Sequence, residues 1–164
     1  PIKLYVSMRN GREYVLGHVS GAAGLDFIRV DRIKKVKTGI RCDEYQKFEN
    51  EYQANKSYLW GVSSGSAKDI THIEMTVRAA EGEEFIVRRL EREKRNGHVY
   101  KITDQQYKYV VDTYDAMELM PWIRTFMGRI EKLESSNPQL KKKFDQDMEQ
   151  LYSMYFGEAQ NDIS

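Results

Sequence analysis

The chain of 164 residues has one cysteine, three histidines and no long apolar run. Cys42 cannot form an internal disulfide and has no second cysteine for a zinc site or a redox pair. The histidines are far apart and lack the spacing of metal ligands; they are His18, His72 and His98. We therefore expect no metal ion and no cofactor.

Sequence features of membrane proteins and of common enzymes are also missing. No window approaches the roughly 18 consecutive apolar residues of a membrane span, and no signal peptide opens the chain. There is no glycine-rich phosphate loop with lysine and no nucleophile elbow. The Asp-x-x-Glu motif that begins at Asp115 is typical of a helix start. These absences predict a cytoplasmic protein that does not bind membranes and is not an enzyme.

Charge is distributed unevenly along the chain. Residues 1–41 contain nine Lys and Arg against three Asp and Glu, a net charge of +6. The remainder contains seventeen against twenty-two, a net charge of −5. A basic segment on an otherwise acidic chain predicts an anionic partner for that segment. The alternative is a lysine-rich strand face that discourages edge pairing.

The first 62 residues predict a small barrel of short antiparallel strands followed by a helix. Asn10-Gly11 suits a two-residue type I′ turn between the first two strands. The predicted strands are residues 2–8, 13–19, 27–30 and 33–36, and the helix covers residues 43–55. The Ser/Gly-rich stretch that follows Val62 predicts a domain boundary.

The second half predicts an α+β domain. Its predicted elements are a strand at residues 73–77, a helix at 83–95, a hairpin of 99–102 and 107–112, and helices at 119–128 and 138–155. Asn137 and Pro138 suit the N-cap and first position of the last helix. That helix would bury Leu140, Phe144, Met148, Leu151 and Tyr155. Residues 130–133 fit either a continued helix or a final strand.

A tyrosine and three arginines on consecutive predicted strands form the candidate binding site. Arg29 and Arg32 suit phosphate because a guanidinium stays charged and presents a planar fork of donors. Tyr14 could stack on a base, and Arg12 is a weaker candidate. A spacing of three puts Arg29 and Arg32 on opposite faces of a regular strand, so they converge only if the chain bends near Asp31. Otherwise Asp31 would merely pair with one arginine.

These motifs carry a resemblance to a known family. GREYVLG at residues 11–17 and FIRVDRI at residues 27–33 resemble the core of the WYL domain, found in bacterial transcriptional regulators behind an N-terminal DNA-binding domain. Three later motifs resemble the C-terminal extension of WYL proteins of a Firmicute type; they are YLWGVS at 58–63, RLEREKR at 89–95 and PWIRTFMGRI at 121–130. Glu13 replaces the tryptophan of the family tripeptide.

The resemblance implies a fold for each part of the chain. Residues 1–62 would form a Sm-like or SH3-like β-barrel with a trailing helix, and residues 63–164 a ferredoxin-like βαββαβ extension with a C-terminal helix. This arrangement favours a strand at residues 130–133. Because the sequence begins at Pro1 rather than methionine, we expect a fragment of a longer protein, with a barrel incomplete at its N-terminus and a DNA-binding domain upstream.

The resemblance also implies a basic barrel pocket at the positions that match Tyr14, Arg29 and Arg32. The leading hypothesis is the effector-sensing and oligomerising region of a bacterial transcriptional regulator. It would be a homodimer whose barrel binds a nucleotide or single-stranded nucleic acid. The alternative is a protein–protein dimerisation module with no ligand of its own.

Overall fold

The computed structural model describes residues 1–7, 9–22 and 24–157, so the predicted strand position of Met8 lies outside the described residues. The strands are β1 Lys3–Val6, β2 Glu13–His18, β3 Leu25–Arg29, β4 Thr71–Arg78, β5 His98–Lys101, β6 Gln106–Thr113 and β7 Ile130–Ser135. The α-helices are α1 Tyr45–Asn55, α2 Glu84–Glu93, α3 Met120–Arg124 and α4 Pro138–Phe156. The predicted α+β class is confirmed.

The chain forms two compact units. The first consists of Pro1–Thr71 together with Asp112–Leu119, and the second of His72–Val111 together with the residues from Met120 onward. The first unit is therefore discontinuous in sequence. The predicted division into residues 1–62 and 63–164 stays a prediction.

The first unit is built on an antiparallel sheet in the order β1-β2-β3. Leu16 faces α1 from the central strand, where it lies opposite Phe27 of β3. Leu16 and Tyr52 are buried in a cluster with Leu59 and Tyr114. One face of the sheet is thus covered by the helix and by the chain that follows it.

The segment Asp112–Leu119 contributes to this core although it follows the rest of the unit by 40 residues. The Tyr114 hydroxyl donates to Oδ1 of Asn55 at 2.6 Å, and the Tyr114 N–H donates to the Tyr58 carbonyl at 3.1 Å. Thr113 Oγ1 donates to the same carbonyl at 3.0 Å. Burial raises the pKa of Tyr114 above its ordinary value. The segment is therefore packed and hydrogen-bonded as an integral part of the first unit.

The opposite face of this sheet is apolar and exposed. Leu4 and Val6 of β1 are 72% and 57% exposed, and Ile28 of β3 is also exposed. Leu4, Val15 and Ile28 lie side by side across the three strands. The described residues therefore form an open sheet with one uncovered apolar face, and no barrel closes among them.

Two predictions for the first unit are wrong. Residues 33–39 are exposed coil rather than a strand, because Ile33 and Val36 are three residues apart and cannot both point to one face of a strand. The β1–β2 connection is also longer than the two-residue turn at Asn10-Gly11. Ser7 N–H donates to the Arg12 carbonyl at 2.8 Å, which leaves four residues in the loop. Only Gly11 has a positive φ among the described residues of this loop, whereas a type I′ turn needs two.

The second unit contains a four-stranded sheet in the order β5-β6-β4-β7. On β4, Ile73, Met75 and Val77 are fully buried, together with side chains of the helices such as Leu90 and Leu140. The other face of this sheet is polar and carries two ion pairs, each at 2.8 Å; they are Lys108–Glu74 and Lys132–Glu134. One face is therefore core and the other is hydrophilic.

Several predictions for the second unit are confirmed. Residues 130–133 lie in β7, which pairs with β4 so that Leu133 is opposite Met75. Asn137 caps α4, where its Oδ1 accepts the Gln139 N–H at 2.9 Å, and Pro138 is the first helical residue. These positions follow from local rules for helix starts and strand alternation.

The predicted buried face of α4 is correct only in its first half. Leu140 and Phe144 are buried, but Met148, Leu151 and Tyr155 are exposed. Asp147 contacts Arg124 of α3 and also pairs with Lys143 one turn earlier on α4 itself. Exposure of the apolar side chains rises toward the end of the helix, and periodicity cannot reveal where packing ends.

Candidate anion-binding site

A row of three side chains crosses the first sheet near the C-terminal end of β3. Tyr5, Tyr14 and Arg29 are cross-strand neighbours in the register of β1, β2 and β3. All three side chains are partly buried, and they lie on the face that also carries Phe27. The backbone register therefore brings Tyr14 and Arg29 together, although they are 15 residues apart in sequence.

The aromatic members of the row pack around Phe27. The Tyr5 and Phe27 rings meet edge to face with centroids 5.3 Å apart, and the Tyr14 and Phe27 rings do so at 6.4 Å. The Tyr5 hydroxyl donates to the Tyr52 hydroxyl at 3.2 Å. Burial, followed by this hydrogen bond, raises the pKa of Tyr5. The tyrosines are thus held by a packed layer, which fixes the position of Tyr14 beside Arg29.

The chain bends where β3 ends. Arg29 is the last residue of β3, and Val30–Arg32 form a single 3₁₀ turn. The bend at Asp31 meets the condition under which Arg29 and Arg32 can act together. A regular strand through Arg32 would have sent the two guanidinium groups to opposite faces.

Asp31 lies at the centre of the basic groups. Its carboxylate accepts the Arg29 Nε–H at 3.0 Å and Nη2–H at 2.5 Å, a two-point pairing. This hydrogen bonding lowers the pKa of Asp31, and the charges of Arg29, Arg12 and Arg32 lower it further. Arg29 therefore pairs with Asp31, as the alternative interpretation of this motif predicts, but two more arginines are close enough to act on the same carboxylate.

The charge of the cluster remains positive after this pairing. Three guanidinium groups against one carboxylate leave a net charge of +2. Arg12 and Arg32 are exposed, and within the described residues neither side chain makes a hydrogen bond or an ion pair. Their donors are available to an anion, whereas those of Arg29 must first leave or share Asp31. The structure thus places Tyr14 beside Arg29, whereas Arg12 and Arg32 are linked to the site only by the effect of their charges on Asp31.

Glu13 does not add to the face that carries Tyr14. It lies opposite Val6, and successive residues of a strand point to opposite faces. Glu13 therefore provides no second stacking surface beside Tyr14. Tyr14 is the one aromatic side chain in direct register with Arg29.

Sequence reasoning missed Tyr5 and Phe27 as neighbours of the site. Tyr5 is visible as a polar-face residue of the first strand, but its pairing with Tyr14 depends on the hairpin register. The four-residue loop sets that register. The two-residue turn at Asn10-Gly11 would have placed a different residue of β1 opposite Tyr14.

Other chemistry-bearing side chains are dispersed. His18 stacks on Phe48 with ring centroids 4.6 Å apart, and His72 contacts Glu74 at 3.4 Å. No group of three or more His, Cys, Asp and Glu side chains suitable for a metal occurs in the described residues. None of the helices in that part of the chain has the length and hydropathy that crossing a bilayer requires.

Comparison with protein-family models, curated proteins and solved structures finds no match for the chain. The site must therefore be interpreted from its own geometry. That geometry is a half-buried tyrosine beside Arg29, which pairs with Asp31, with the charges of Arg12 and Arg32 also acting on that carboxylate.

Proposed function

We propose that the first unit binds an anionic ligand, a nucleotide or a single-stranded nucleic acid, through Arg12, Tyr14, Arg29 and Arg32. The proposal also takes the chain to be the effector-sensing and oligomerising region of a bacterial transcriptional regulator of the WYL type. The observation that carries it is the cross-strand pairing of Tyr14 with Arg29, with Arg12 and Arg32 adding positive charge that acts on Asp31.

The two free guanidinium groups supply the first attraction for a phosphate. Exposed cations act at a distance and speed encounter with an anion, and their effect weakens as salt increases. A phosphate that reaches Arg12 and Arg32 is close to Arg29, whose planar fork is already presented toward a carboxylate. Phosphate oxygens are equivalent acceptors for the same fork. The Arg29–Asp31 pair therefore holds Arg29 in a conformation that suits an anion.

Tyr14 supplies the contact that would make the site prefer a nucleotide over a simple anion. It is partly buried and held against Phe27, so only part of its ring and its hydroxyl remain accessible. Stacking of one base on an aromatic ring contributes on the order of 1–3 kcal/mol. We accordingly expect an oligonucleotide to bind more tightly than inorganic phosphate.

The fold supports the regulator assignment at a coarser level. The element order β4-α2-β5-β6-α3-β7 with strand order β5-β6-β4-β7 is that of a ferredoxin-like βαββαβ domain. The open sheet β1-β2-β3 with its exposed apolar face is what a Sm-like barrel would leave if residues outside this sequence completed it. Both assignments are parts of the proposal.

Titration of the chain with a short fluorescent single-stranded oligonucleotide tests the site. Binding is expected at about 50 mM salt and should weaken at least tenfold at about 200 mM, because neutralised phosphates release counterions. The double variant Arg12→Gln with Arg32→Gln should lose most of this affinity. Tyr14→Leu should weaken the oligonucleotide but leave the binding of inorganic phosphate unchanged.

The matched control removes two positive charges elsewhere in the first unit. Lys47→Gln on α1 with Lys56→Gln directly after that helix changes the net charge by the same amount, and both side chains are exposed. This control should bind like the wild type. Equal losses of affinity in the two double variants would mean that binding depends only on the net charge of the protein. Absence of binding at low salt would exclude the site.

A second candidate function is a dimerisation module without a ligand. It is favoured by the exposed apolar stripe of α4, which a nucleotide does not explain. The oligonucleotide titration separates the two functions, because a dimerisation module without a ligand shows no binding.

A further inference from the structure

The second half of α4 carries an apolar surface that has no cover within the described residues. Its exposed side chains are Met148, Leu151, Tyr152, Met154, Tyr155 and Phe156. At about 100° per residue, Met148, Leu151, Tyr152 and Tyr155 share one face. We call these four residues the α4 stripe.

The α4 stripe continues the buried face of the same helix. Leu140 and Phe144, which are buried, precede Met148 at intervals of four residues. The Asp147 carboxylate accepts Arg124 Nε–H at 2.8 Å, and beyond it the exposure of the apolar side chains rises, from 37% at Met148 to 73% at Tyr155. The stripe is therefore a core-type surface that becomes uncovered toward the end of the helix.

A helix end of this composition needs a partner. Two isolated turns are only marginally helical in water, and most helical stability in proteins comes from the packing of an apolar face. The ring pair of Tyr152 and Phe156, 5.1 Å between centroids, covers only part of the surface. With side chains of about 150–250 Å² each, exposed to 37%, 40%, 66% and 73%, the four residues of the α4 stripe expose on the order of 400 Å². That area is about half of the roughly 800 Å² that each partner buries in a standard interface, which suits a weak dimer.

The charges around the stripe argue against a membrane surface as its partner. Glu149 is the only charged residue between Met148 and Phe156, and this segment has no Lys or Arg. Helices that lie on membranes are rich in Lys and Arg on the polar face. The polar face here carries Glu149, Gln150 and Ser153 instead.

We propose that the α4 stripe packs against the α4 stripe of a second copy of this chain, with the two helices antiparallel around a two-fold axis near Leu151 and Tyr152. A stripe without charges is complementary to itself, as an isologous interface requires. The axis brings Met148 of one helix to Tyr155 of its partner. The antiparallel arrangement also keeps the folded bodies at opposite ends of the helix pair. This inference does not depend on the anion site of the first unit.

Sedimentation at concentrations from about 1 to about 200 µM tests the interface, because a small apolar interface gives a dimer whose population depends on concentration. The wild type should shift from monomer to dimer across this range. Leu151→Glu with Tyr155→Glu should weaken the dimer at least tenfold. Both side chains are exposed, at 40% and 73%, so the variant should keep the circular dichroism spectrum of the monomer.

The control adds the same charge to the polar face of the same turns. Gln150→Glu with Ser153→Glu should dimerise like the wild type. A wild type that stays monomeric at the highest concentration would overturn the proposal, since the stripe would then be covered by its own chain or by another protein. A stripe variant that dimerises as well as the wild type would overturn it too, because the interface would lie elsewhere.

A crosslink tests the antiparallel geometry. In a Cys42→Ser background, Tyr152→Cys lies next to the proposed axis and should form a disulfide-linked dimer under mild oxidation. Ser153→Cys lies on the polar face and should not. Crosslinking of both cysteines to the same extent, or of neither, would contradict the arrangement. Oligonucleotide binding should be the same in the stripe variant and in the wild type, so failure of this proposal is distinguishable from failure of the anion site.

Discussion

The two sheets of this protein share an alternation of apolar and polar residues, but they differ in which face is buried. In β4, every second residue is apolar and fully buried, and the intervening residues form a charged face with ion pairs. In β1, Leu4 and Val6 also alternate with polar residues, yet they are exposed and Tyr5 faces the core. Alternation therefore identifies a strand, but the covering element decides which face becomes the core.

This difference follows from the number of helices that pack on the apolar residues of each sheet. The second sheet has helices on its apolar face and mostly polar side chains on the other, where Glu74 and Lys108 pair. The first sheet has apolar residues on both faces and one helix, so it leaves Leu4, Val15 and Ile28 without cover in the described residues. The contrast can be tested by substitutions at equivalent positions in the two sheets.

The largest difference is expected between the apolar residues of β4 and β1. Ile73→Ala should lower the free energy of unfolding by about 2–5 kcal/mol, because it leaves a cavity in a fully buried site. Leu4→Ala, at a site that is 72% exposed, should change it by less than about 1 kcal/mol. Urea unfolding followed by fluorescence measures both, since Trp60 reports on the first unit and Trp122 on the second. Equal losses would mean that the β1 face is buried in solution.

A smaller effect is expected from the carboxylates that pair with arginine in each unit. Partial burial raises the pKa of Asp147, but hydrogen bonds from Lys143 and Arg124 outweigh it, so the pKa is lowered. Because the pKa is lower in the folded state, the stabilisation is complete above the unfolded value of about 4 and is lost as the pH falls through the folded pKa. Asp147→Asn should cost about 1 kcal/mol at pH 7 and remove this part of the acid sensitivity.

Unfolding of Asp147→Asn and wild type between pH 7 and the acid range, followed through Trp122, measures that dependence. Asp31→Asn is the comparison in the first unit. Its carboxylate is more exposed than that of Asp147, and solvent screening makes surface pairs weak, so it should leave stability nearly unchanged. Similar acid sensitivity of the two variants would contradict the assignment of Asp147 as an anchor of α4.

The smallest effect on stability accompanies a gain in binding. Asp31→Asn removes the carboxylate that Arg29 contacts and raises the net charge of the cluster from +2 to +3. Affinity for the oligonucleotide should rise several-fold at low salt, and the salt dependence should become steeper. Asp26→Asn, on the opposite face of β3, is the control with the same change of charge. Weaker binding by the Asp31 variant would mean that the carboxylate contacts the ligand or maintains the site.

Local rules predicted much of the second unit and less of the first. The Asn137-Pro138 helix start and the alternation in β4 depend only on neighbouring residues, and both are present. The loop between β1 and β2 depends on where the strands pair, so the Asn10-Gly11 turn motif predicted the wrong strand register. The α4 stripe has the period of a core face, and only the extent of the folded body shows that it is exposed.

The candidate site was predictable in its residues but not in its arrangement. Arg29 and Arg32 stand out by charge and spacing, but their convergence depends on a 3₁₀ turn at Asp31 that propensities do not fix. Tyr5 is a neighbour of Tyr14 only because of the register in which β1 pairs with β2. Side chains that meet across strands are determined by long-range pairing, whereas the chemical type of each residue can be read directly from the sequence.

The return of Asp112–Leu119 to the first unit has a consequence for synthesis of the chain. The ribosome releases residues in order, so Tyr114 emerges only after residues 72–111 have been made. The hydrophobic cluster that contains Leu16 and Tyr52 therefore cannot be completed until Tyr114 has been made. A gene cut after residue 71 would encode a first unit with a gap in its core. In sequence, residues 72–111 interrupt the first unit, so neither unit can be produced in full without cutting the chain more than once.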